Sequence, residues 1–280
     1  MFRRQKVTPM TASTTTPARQ PVLFAPHGGG PCFFMDQPVI WDRMAAYLRG
    51  LAATLPQRPR AILVVSGHWE TERPTVTSSA APPLIYDYYG FPEHTYHLQY
   101  PAPGSPELAA QVRSLLSAAG IANDEDPERG FDHGVFIPFL LAFGDADIPV
   151  VELSLRQDMN AAEEVRIGAA LQSLRGENVL IVATGMTYHN LRQLRQSDPS
   201  SAGASQAFDA WLTKAVEAEP EERNAALLRW EAAPGARQCH PREEHLLPLM
   251  FAAGAAGADL GKRDYSDVVM GKAMSGFRFG

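Results

Sequence analysis

AILVVSGHW, from Ala61 to Trp69, contains the pattern from which the architecture of this chain can be deduced. Its first five residues are apolar and mostly branched, and Pro59 and Gly67 bound them, which predicts a short buried strand. His68 follows just past the carboxyl end of that strand. In an open α/β sheet the carboxyl edge is where ligands bind. The stretch therefore predicts an imidazole at a ligand-binding edge.

Two other apolar stretches are also followed by a histidine. PVLFAPH places His27 after an apolar run, and NVLIVATGMTYH places His189 after another. A single histidine near a strand end is usually a hydrogen-bonding residue rather than a ligand. Three such units in one chain indicate instead that imidazoles converge on one edge of one sheet.

Strand-like runs alternate with helix-like segments along the chain, without a repeat or a clear linker. Besides an edge strand or hairpin after Asp264, the runs predict strands at 22–25, 61–65, 75–78, 149–155 and 179–183. Apolar spacing and end signals predict helices at 41–55, 105–119, 135–143, 161–174, 208–217, 221–230 and 242–253. This alternation is typical of a single α/β domain, with a central mixed sheet flanked by helices and a site at the carboxyl ends of the strands.

The first twenty residues, MFRRQKVTPMTASTTTPARQ, are basic, rich in threonine and free of acidic residues. They lack the apolar segment of a secretory signal. We expect residues 1–20 to be a disordered tail or to reflect an upstream start before Met10, although an organelle transit peptide also fits the composition. The catalytic domain is then expected at 21–280.

The bulk composition argues against several classes of function. The formal net charge is -6, and Lys and Arg are scattered, so neither a nucleic acid nor an anionic membrane is an expected partner. No apolar run approaches the ~20 residues of a membrane span. The two cysteines, Cys32 and Cys239, form no C-x-x-C pair. Reduced thiols are the simplest interpretation and favour a cytoplasmic enzyme.

The histidines that follow strands predict a metal site. Neutral imidazole is a common ligand for zinc, copper and non-haem iron. His27 and His68 are expected to follow neighbouring strands, and HPREEHLLP supplies a third ligand, either His245 or Glu244. Two histidines with a carboxylate are typical of iron(II) oxygenases, whereas three histidines suit zinc or iron. The residues alone leave this choice open.

The remaining candidates are weaker. His94 and His97 lie in a loop, and His240 precedes Pro241 as a turn or cap residue would. The spacing of the two cysteines matches no zinc motif. The Pro- and Gly-rich stretch 80–104 predicts a long ordered loop, and such loops are often functional. Its aromatic residues could wall a pocket or pack the loop onto the sheet; they are Tyr86, Tyr88, Tyr89, Phe91, Tyr96 and Tyr100.

Six motifs, in order, carry a family resemblance. They are PHGGGP, SGHW, YDYYGFP with YPAPG, FDHG, HNL and HPREEHLLPL, and they run from about Pro21 to the mid-250s. The set resembles the class III extradiol ring-cleavage dioxygenases, in the branch similar to 4,5-DOPA extradiol dioxygenase. Each motif alone is weak, but the ordered set is specific.

The resemblance implies a single α/β domain with one divalent metal per chain, with Fe2+ expected for activity and Zn2+ as an alternative occupant. It implies that His27, His68 and His245 are the metal ligands and that the catalytic residues are His189, as the acid/base, and His133, a pocket histidine. The implied partners are a small aromatic diol and O2, and a homo-oligomer is left open. A zinc hydrolase with the same histidines and a non-catalytic metal-binding protein of this fold are the alternatives.

Overall fold

The computed structural model describes residues 18–36, 39–194 and 198–280. The strands are β1 (Val22–Pro26), β2 (Ala61–Thr71), β3 (Thr75–Thr77), β4 (Asp124–Asp126), β5 (Val150–Arg156), β6 (Val179–Gly185), β7 (Gly261–Val269) and β8 (Lys272–Phe279). The α-helices are α1 (Asp42–Gly50), α2 (Pro106–Ala118), α3 (His133–Ala142), α4 (Ala161–Leu171), α5 (Leu191–Leu194), α6 (Pro199–Val216), α7 (Pro220–Leu227), α8 (Ala236–Cys239) and α9 (Leu247–Ala256). Short 3-10 helices lie at Cys32–Phe34, Val39–Trp41, Leu51–Thr54, Glu93–His97, Gln172–Glu177 and Trp230–Ala232.

All eight strands form one mixed sheet in the order β4-β3-β5-β2-β6-β1-β8-β7. The four central strands, β5, β2, β6 and β1, are mutually parallel. They are buried along most of their length and mainly apolar, as parallel strands covered on both faces usually are, although β5 also buries Glu152 and Ser154. β3 and β8 run antiparallel to β5 and β1 and make the sheet mixed. The predicted fold, a single α/β domain with a central mixed sheet flanked by helices, is confirmed.

Helices pack against the central strands and bury them. α3 contacts β2 and β6 and packs on α1, whereas α9 contacts β6, β1 and β2 and packs on α4. Ser105 caps α2, as predicted, because its side chain accepts a hydrogen bond from the Leu108 amide. In the described part of the chain, no helix has both the length and the apolar character that crossing a membrane requires.

The neighbours of β2 differ from the prediction. His27 and His68 were expected to follow adjacent strands, but β6 lies between β1 and β2. Strand adjacency depends on how the connections cross over, which local sequence patterns do not encode. The middle strand, β6, is the one that leads to His189. The three strands associated with the predicted histidines, β1, β6 and β2, therefore lie side by side, with their carboxyl ends at one edge of the sheet.

Several element boundaries also differ from the prediction. β2 continues to Thr71, with a register irregularity between Val65 and Glu70, so His68 lies within the strand. The last helix begins at Leu247 rather than at 242, because Pro248 suits a first helical turn. β4 was not among the predicted strands, since Asp124–Asp126 has no apolar residue to signal a strand. The predicted C-terminal hairpin is confirmed as β7 and β8.

The N-terminal region is described only from Ala18 onward, so residues 1–17 of the predicted tail lie outside the described residues. Arg19 forms an ion pair with Asp259 at 3.0 Å. Gln20 is buried, and its backbone N–H donates to the Arg175 carbonyl at 3.1 Å. Arg19 and Gln20 therefore contact the folded domain, and the boundary at residue 21 stays a prediction.

Candidate metal centre

Three histidines from separate parts of the chain meet at the carboxyl edge of the sheet. His27 follows β1, His68 lies in the irregular part of β2, and His245 lies in the turn before α9. Their ring centroids are 4.6–5.1 Å apart. The Nε2 atoms of His68 and His245 are 3.2 Å apart, and each ring offers a nitrogen within 4.8 Å of the others. This group could hold one metal ion.

Close backbone packing brings the His245 turn to the strand ends. A Cβ atom on Gly185 would lie 2.3 Å from the His245 carbonyl oxygen, and one on Gly67 would lie 2.9 Å from the Glu244 carbonyl oxygen. Glycine at both positions therefore lets the turn approach β6 and β2. The Met186 amide donates to the His245 carbonyl at 3.0 Å and fixes this approach.

The chemistry of the three rings fits a divalent metal. His27 is 1% exposed, and neither of its ring nitrogens has a hydrogen-bond partner among the described residues. Such orphaned buried polar atoms call for a partner. Burial, reinforced by neighbouring imidazoles, holds the pKa values of His27, His68 and His245 well below their ordinary range. The rings are therefore neutral, which is the form that binds metal.

A fourth histidine, His133, lies beside His68 at the first residue of α3. The two ring centroids are 4.0 Å apart. The Nδ1 atom of His133 lies 2.8 Å from Asp87 Oδ1, which also accepts the His133 backbone N–H at 2.9 Å. The other oxygen of Asp87 lies 3.6 Å from His68 Nδ1. One carboxylate thus contacts both rings.

A fifth histidine, His189, stacks on His245 with ring centroids 3.3 Å apart. Glu244 Oε1 lies 3.0 Å from Nδ1 of His189 and 3.0 Å from Nδ1 of His245. Burial alone would raise the pKa of Glu244, but the hydrogen bond from His189, a backbone hydrogen bond and the neighbouring His189 and Arg242 together outweigh burial, and the pKa lies below its usual value. An ionised carboxylate only accepts hydrogen bonds, so both Nδ1 atoms carry a proton. The Nε2 atom of each ring is the one that does not contact Glu244.

Two further groups have the spacing of a metal site, namely His68 with Asp87 and His133, and His189 with Glu244 and His245. In each of them the carboxylate already serves as a hydrogen-bond acceptor for Nδ1 of an imidazole. The group of His27, His68 and His245 contains no such internal partner for His27. It is therefore the group that most needs an ion.

The aromatic loop both packs and borders the site. Tyr88 is buried 5.7 Å from the His133 ring, and its hydroxyl donates to the Thr95 carbonyl at 2.6 Å. Tyr100 is buried against Phe139. Tyr89 is 90% exposed and contributes to neither role. Tyr100 therefore packs the loop onto the domain, whereas Tyr88 borders the histidine cluster.

The weaker candidates lie outside the cluster. His94 forms a hydrogen bond with the Phe34 carbonyl oxygen, and His97 forms one with the Glu93 carboxylate. His240 is buried, its Nε2 lies 3.0 Å from the Thr187 carbonyl oxygen, and burial lowers its pKa to about 3. Burial raises the thiol pKa values of both cysteines to about 12.

Sequence reasoning missed one residue of this site, Asp87. It stands in YDYYGFP as the only acidic residue among aromatic ones. That contrast was the available signal, because a carboxylate in an aromatic segment needs a polar partner. Its partners, His68 and His133, come from other elements, so the pairing itself cannot be read locally.

Comparisons with known proteins identify the family of the chain. Residues 30–277 match the family described as the catalytic LigB subunit of aromatic ring-opening dioxygenase. The chain is 38% identical to dioxygenase tasH of Hapsidospora irregularis over 271 residues, which are 90% of this chain and 82% of that one. It is 39% identical to a 4,5-DOPA dioxygenase extradiol of Beta vulgaris, over 72% of this chain and 75% of the relative.

An Escherichia coli K12 protein, also named 4,5-DOPA dioxygenase extradiol, is 36% identical over 85% of each chain. The crystal structure of an uncharacterized protein from Escherichia coli K12 has a TM-score of 0.73 at 32% identity. It covers 94% of this chain and 100% of that chain. The family match alone spans well over half of the sequence. The chain therefore belongs to the LigB family of aromatic ring-opening dioxygenases.

Proposed function

We propose that this protein is an iron(II)-dependent extradiol dioxygenase that cleaves the ring of a catechol-type substrate with O2. The observation that carries the proposal is the buried His27 ring, whose nitrogens have no hydrogen-bond partner within 18–36, 39–194 and 198–280 and which faces the neutral rings of His68 and His245. We assign these three imidazoles as the metal ligands. Three protein ligands leave positions open for a substrate and for O2.

Glu244 is assigned an orienting role rather than a place at the metal. Its Oε1 atom lies on the Nδ1 side of His245, whereas the Nε2 atom of that ring faces His68. A ligating histidine usually donates its other N–H to a carboxylate in this way. This arrangement supports His245, and not Glu244, as the third ligand.

A bound iron(II) would let electrons pass from the diol to O2 despite the spin barrier between them, and it would lower the pKa of a bound phenol. His189 is the chain's proton carrier in this proposal. Glu244 holds the proton on its Nδ1 atom, so its Nε2 atom can accept the proton of the second phenolic hydroxyl and return it to the product. Both atoms of O2 enter the ring-opened product, so the reaction needs no external reductant.

The remaining site residues position the substrate and exclude water. We assign His133 to the pocket wall, where Asp87 fixes its ring through Nδ1 and its backbone N–H. Tyr88 lies against the same ring and is nearly inaccessible to solvent. An aromatic substrate is favoured next to these rings, because aromatic pairs contribute about 0.5–1.5 kcal/mol beyond the burial of their area.

The test is an oxygen-uptake assay on protein loaded anaerobically with Fe2+ and offered a panel of catechols. We expect one O2 consumed per substrate, with a coloured ring-opened product, and no uptake by metal-free protein. Zinc found in a purified sample would not decide the matter, because zinc ranks near the top of the affinity order. Cleavage of esters or amides by the zinc-loaded protein, without oxygen uptake, would support a hydrolase instead. Tight metal binding without either reaction would support a non-catalytic protein.

A further inference from the structure

We propose that Asp87 is a positioning residue that couples the pocket histidine His133 to the metal ligand His68. The inference rests on the proposed function, because it takes His68 to be a ligand. Asp87 Oδ1 accepts from Nδ1 and from the backbone N–H of His133, and Asp87 Oδ2 lies 3.6 Å from Nδ1 of His68. A single carboxylate thus faces the Nδ1 atoms of both rings.

The position of Asp87 favours one orientation of His68, in which a particular ring nitrogen faces the other two assigned ligands, His27 and His245. With Nδ1 directed at the carboxylate, the Nε2 atom of His68 is directed at His245 Nε2, 3.2 Å away. The Asp87 carboxylate accepts the Nδ1–H and the backbone N–H of His133, and the same acceptor role toward His68 favours the Nδ1–H form of that ring.

The backbone around Asp87 holds it firmly enough for this role. The Ile85 amide donates to the Phe131 carbonyl at 2.8 Å, and the Phe131 amide donates to the Pro83 carbonyl at 2.8 Å. These bonds join the aromatic loop to the segment that leads into α3. Asp87 therefore links three parts of the fold: the loop, the first turn of α3 through His133, and β2 through His68.

Glu244 plays the matching part on the opposite side of the cluster, where it contacts Nδ1 of His189 and of His245. Each carboxylate thus joins one assigned ligand to one histidine that is not a ligand, His68 to His133 and His245 to His189. The arrangement predicts that these paired histidines are oriented together. A change at Asp87 should then reach the metal even though Asp87 does not bind it.

The test measures Co2+ binding and the visible spectrum of the Co2+-loaded protein for wild type and Asp87→Asn. Asparagine retains an oxygen that can accept from the His133 backbone N–H, so the loop stays anchored. Its NH2 group would face Nδ1–H of His68, and His68 would have to move its proton to Nε2 or rotate. We expect Co2+ affinity to fall 10- to 100-fold, as is usual for such orienting carboxylates, with an altered ligand-field spectrum.

Glu93→Gln is the matched control, because Glu93 is an exposed carboxylate in the same loop that also contacts a histidine, His97, at 3.1 Å. It should leave Co2+ affinity and spectrum unchanged. The melting temperature of both metal-free variants should stay near that of wild type. Wild-type Co2+ affinity and spectrum in Asp87→Asn would overturn the inference and leave Asp87 a mere loop anchor.

The proposed function can fail separately from this inference. If wild-type protein binds Co2+ and Asp87→Asn binds it weakly, but Fe2+-loaded wild type consumes no O2 with any catechol, Asp87 keeps its positioning role and the reaction assignment falls. If oxygen uptake is normal in wild type and Co2+ binding is unaffected by the substitution, the reaction assignment stands and the role of Asp87 falls.

Discussion

At the scale of single residues, five histidines lie together but face different partners. Nδ1 of His245, His189 and His133 is bound to a carboxylate, and His27 has no partner at either nitrogen among the residues that the structure describes. All five were candidates from the sequence: His27, His68 and His189 from the strands before them, His245 from the HPREEHLLP motif, and His133 from the family resemblance. The carboxylates that bind their Nδ1 atoms were harder to predict. Glu244 was considered only as a ligand and Asp87 was missed, since both act across the fold.

The different roles assigned to these histidines predict different outcomes for two alanine variants. His68→Ala should lose most of its bound metal, because it removes one of three ligands. His189→Ala should keep its metal but lose turnover by about 10²–10⁴-fold, the usual contribution of a positioned acid/base. Elemental analysis and steady-state oxygen uptake on both variants measure the difference.

The control for this pair is His97→Ala, because His97 is exposed and lies outside the cluster. It should retain both metal and turnover. An equal loss of metal in His68→Ala and His189→Ala would make His189 a ligand and contradict the assigned roles.

At the scale of elements, α3 fixes His68 as well as providing His133. Gly134 lies in the first turn of α3, and a Cβ atom there would lie 2.4 Å from Ser66 Oγ and 2.8 Å from His68 Cδ2. Ser66 in turn donates to Asp132 Oδ1 at 2.8 Å, the oxygen that caps the helix. The beginning of α3 and the irregular part of β2 are therefore packed as one unit.

Gly134→Ala should consequently destabilise the protein and disturb the metal group. In an open helical position the same change stabilises by up to about 1 kcal/mol, because alanine has the better helix propensity. Here the overlap should reverse the sign and cost about 1–3 kcal/mol, as overpacking commonly does. Urea unfolding of the metal-free protein and Co2+ titration measure the two effects.

Gly203→Ala in α6 is the matched control, since nothing lies within 4 Å of a Cβ atom at that position. We expect it to leave metal binding unchanged and to be neutral or stabilising by about 0.4–1 kcal/mol. If Gly134→Ala behaved like Gly203→Ala, the packing of α3 on His68 would not matter for the site.

At the scale of the whole molecule, the sequence predicted the layers better than their arrangement. The sequence predicted β1, β2, β5 and β6 as strands, and the structure shows that they are parallel, with both faces covered. Their order was beyond reach, since β6 lies between β1 and β2 through crossovers that local patterns do not reveal. The position of His245 was equally hidden, because it depends on glycines in β2 and β6 that admit a distant turn.

The stability of the whole domain should depend on pH through a carboxyl group remote from the proposed chemistry. Glu164 in α4 is fully buried, and its Oε1 atom accepts the Arg156 amide at the end of β5 at 2.9 Å. Its Oε2 atom has no hydrogen-bond partner among the described residues. Burial raises the pKa of Glu164 from 4.5 to about 8, so the folded protein retains a proton that the unfolded chain releases.

Between pH 4.5 and pH 8 the folded state binds more protons at Glu164 than the unfolded state does. Stability therefore decreases as pH rises through this window, by up to about 1.4 kcal/mol per pH unit from this group. Glu164→Gln, which retains the acceptor for the Arg156 amide, should match wild type near pH 4.5 and be more stable by several kcal/mol at pH 8. Urea unfolding of metal-free protein across this range gives the difference between the two stability curves.

The matched control is Glu163→Gln, whose side chain is partly exposed on the same helical turn. It should change the free energy of unfolding by less than about 0.5 kcal/mol across the range. A flat difference curve for Glu164→Gln would mean that this carboxyl group is solvated in the folded protein.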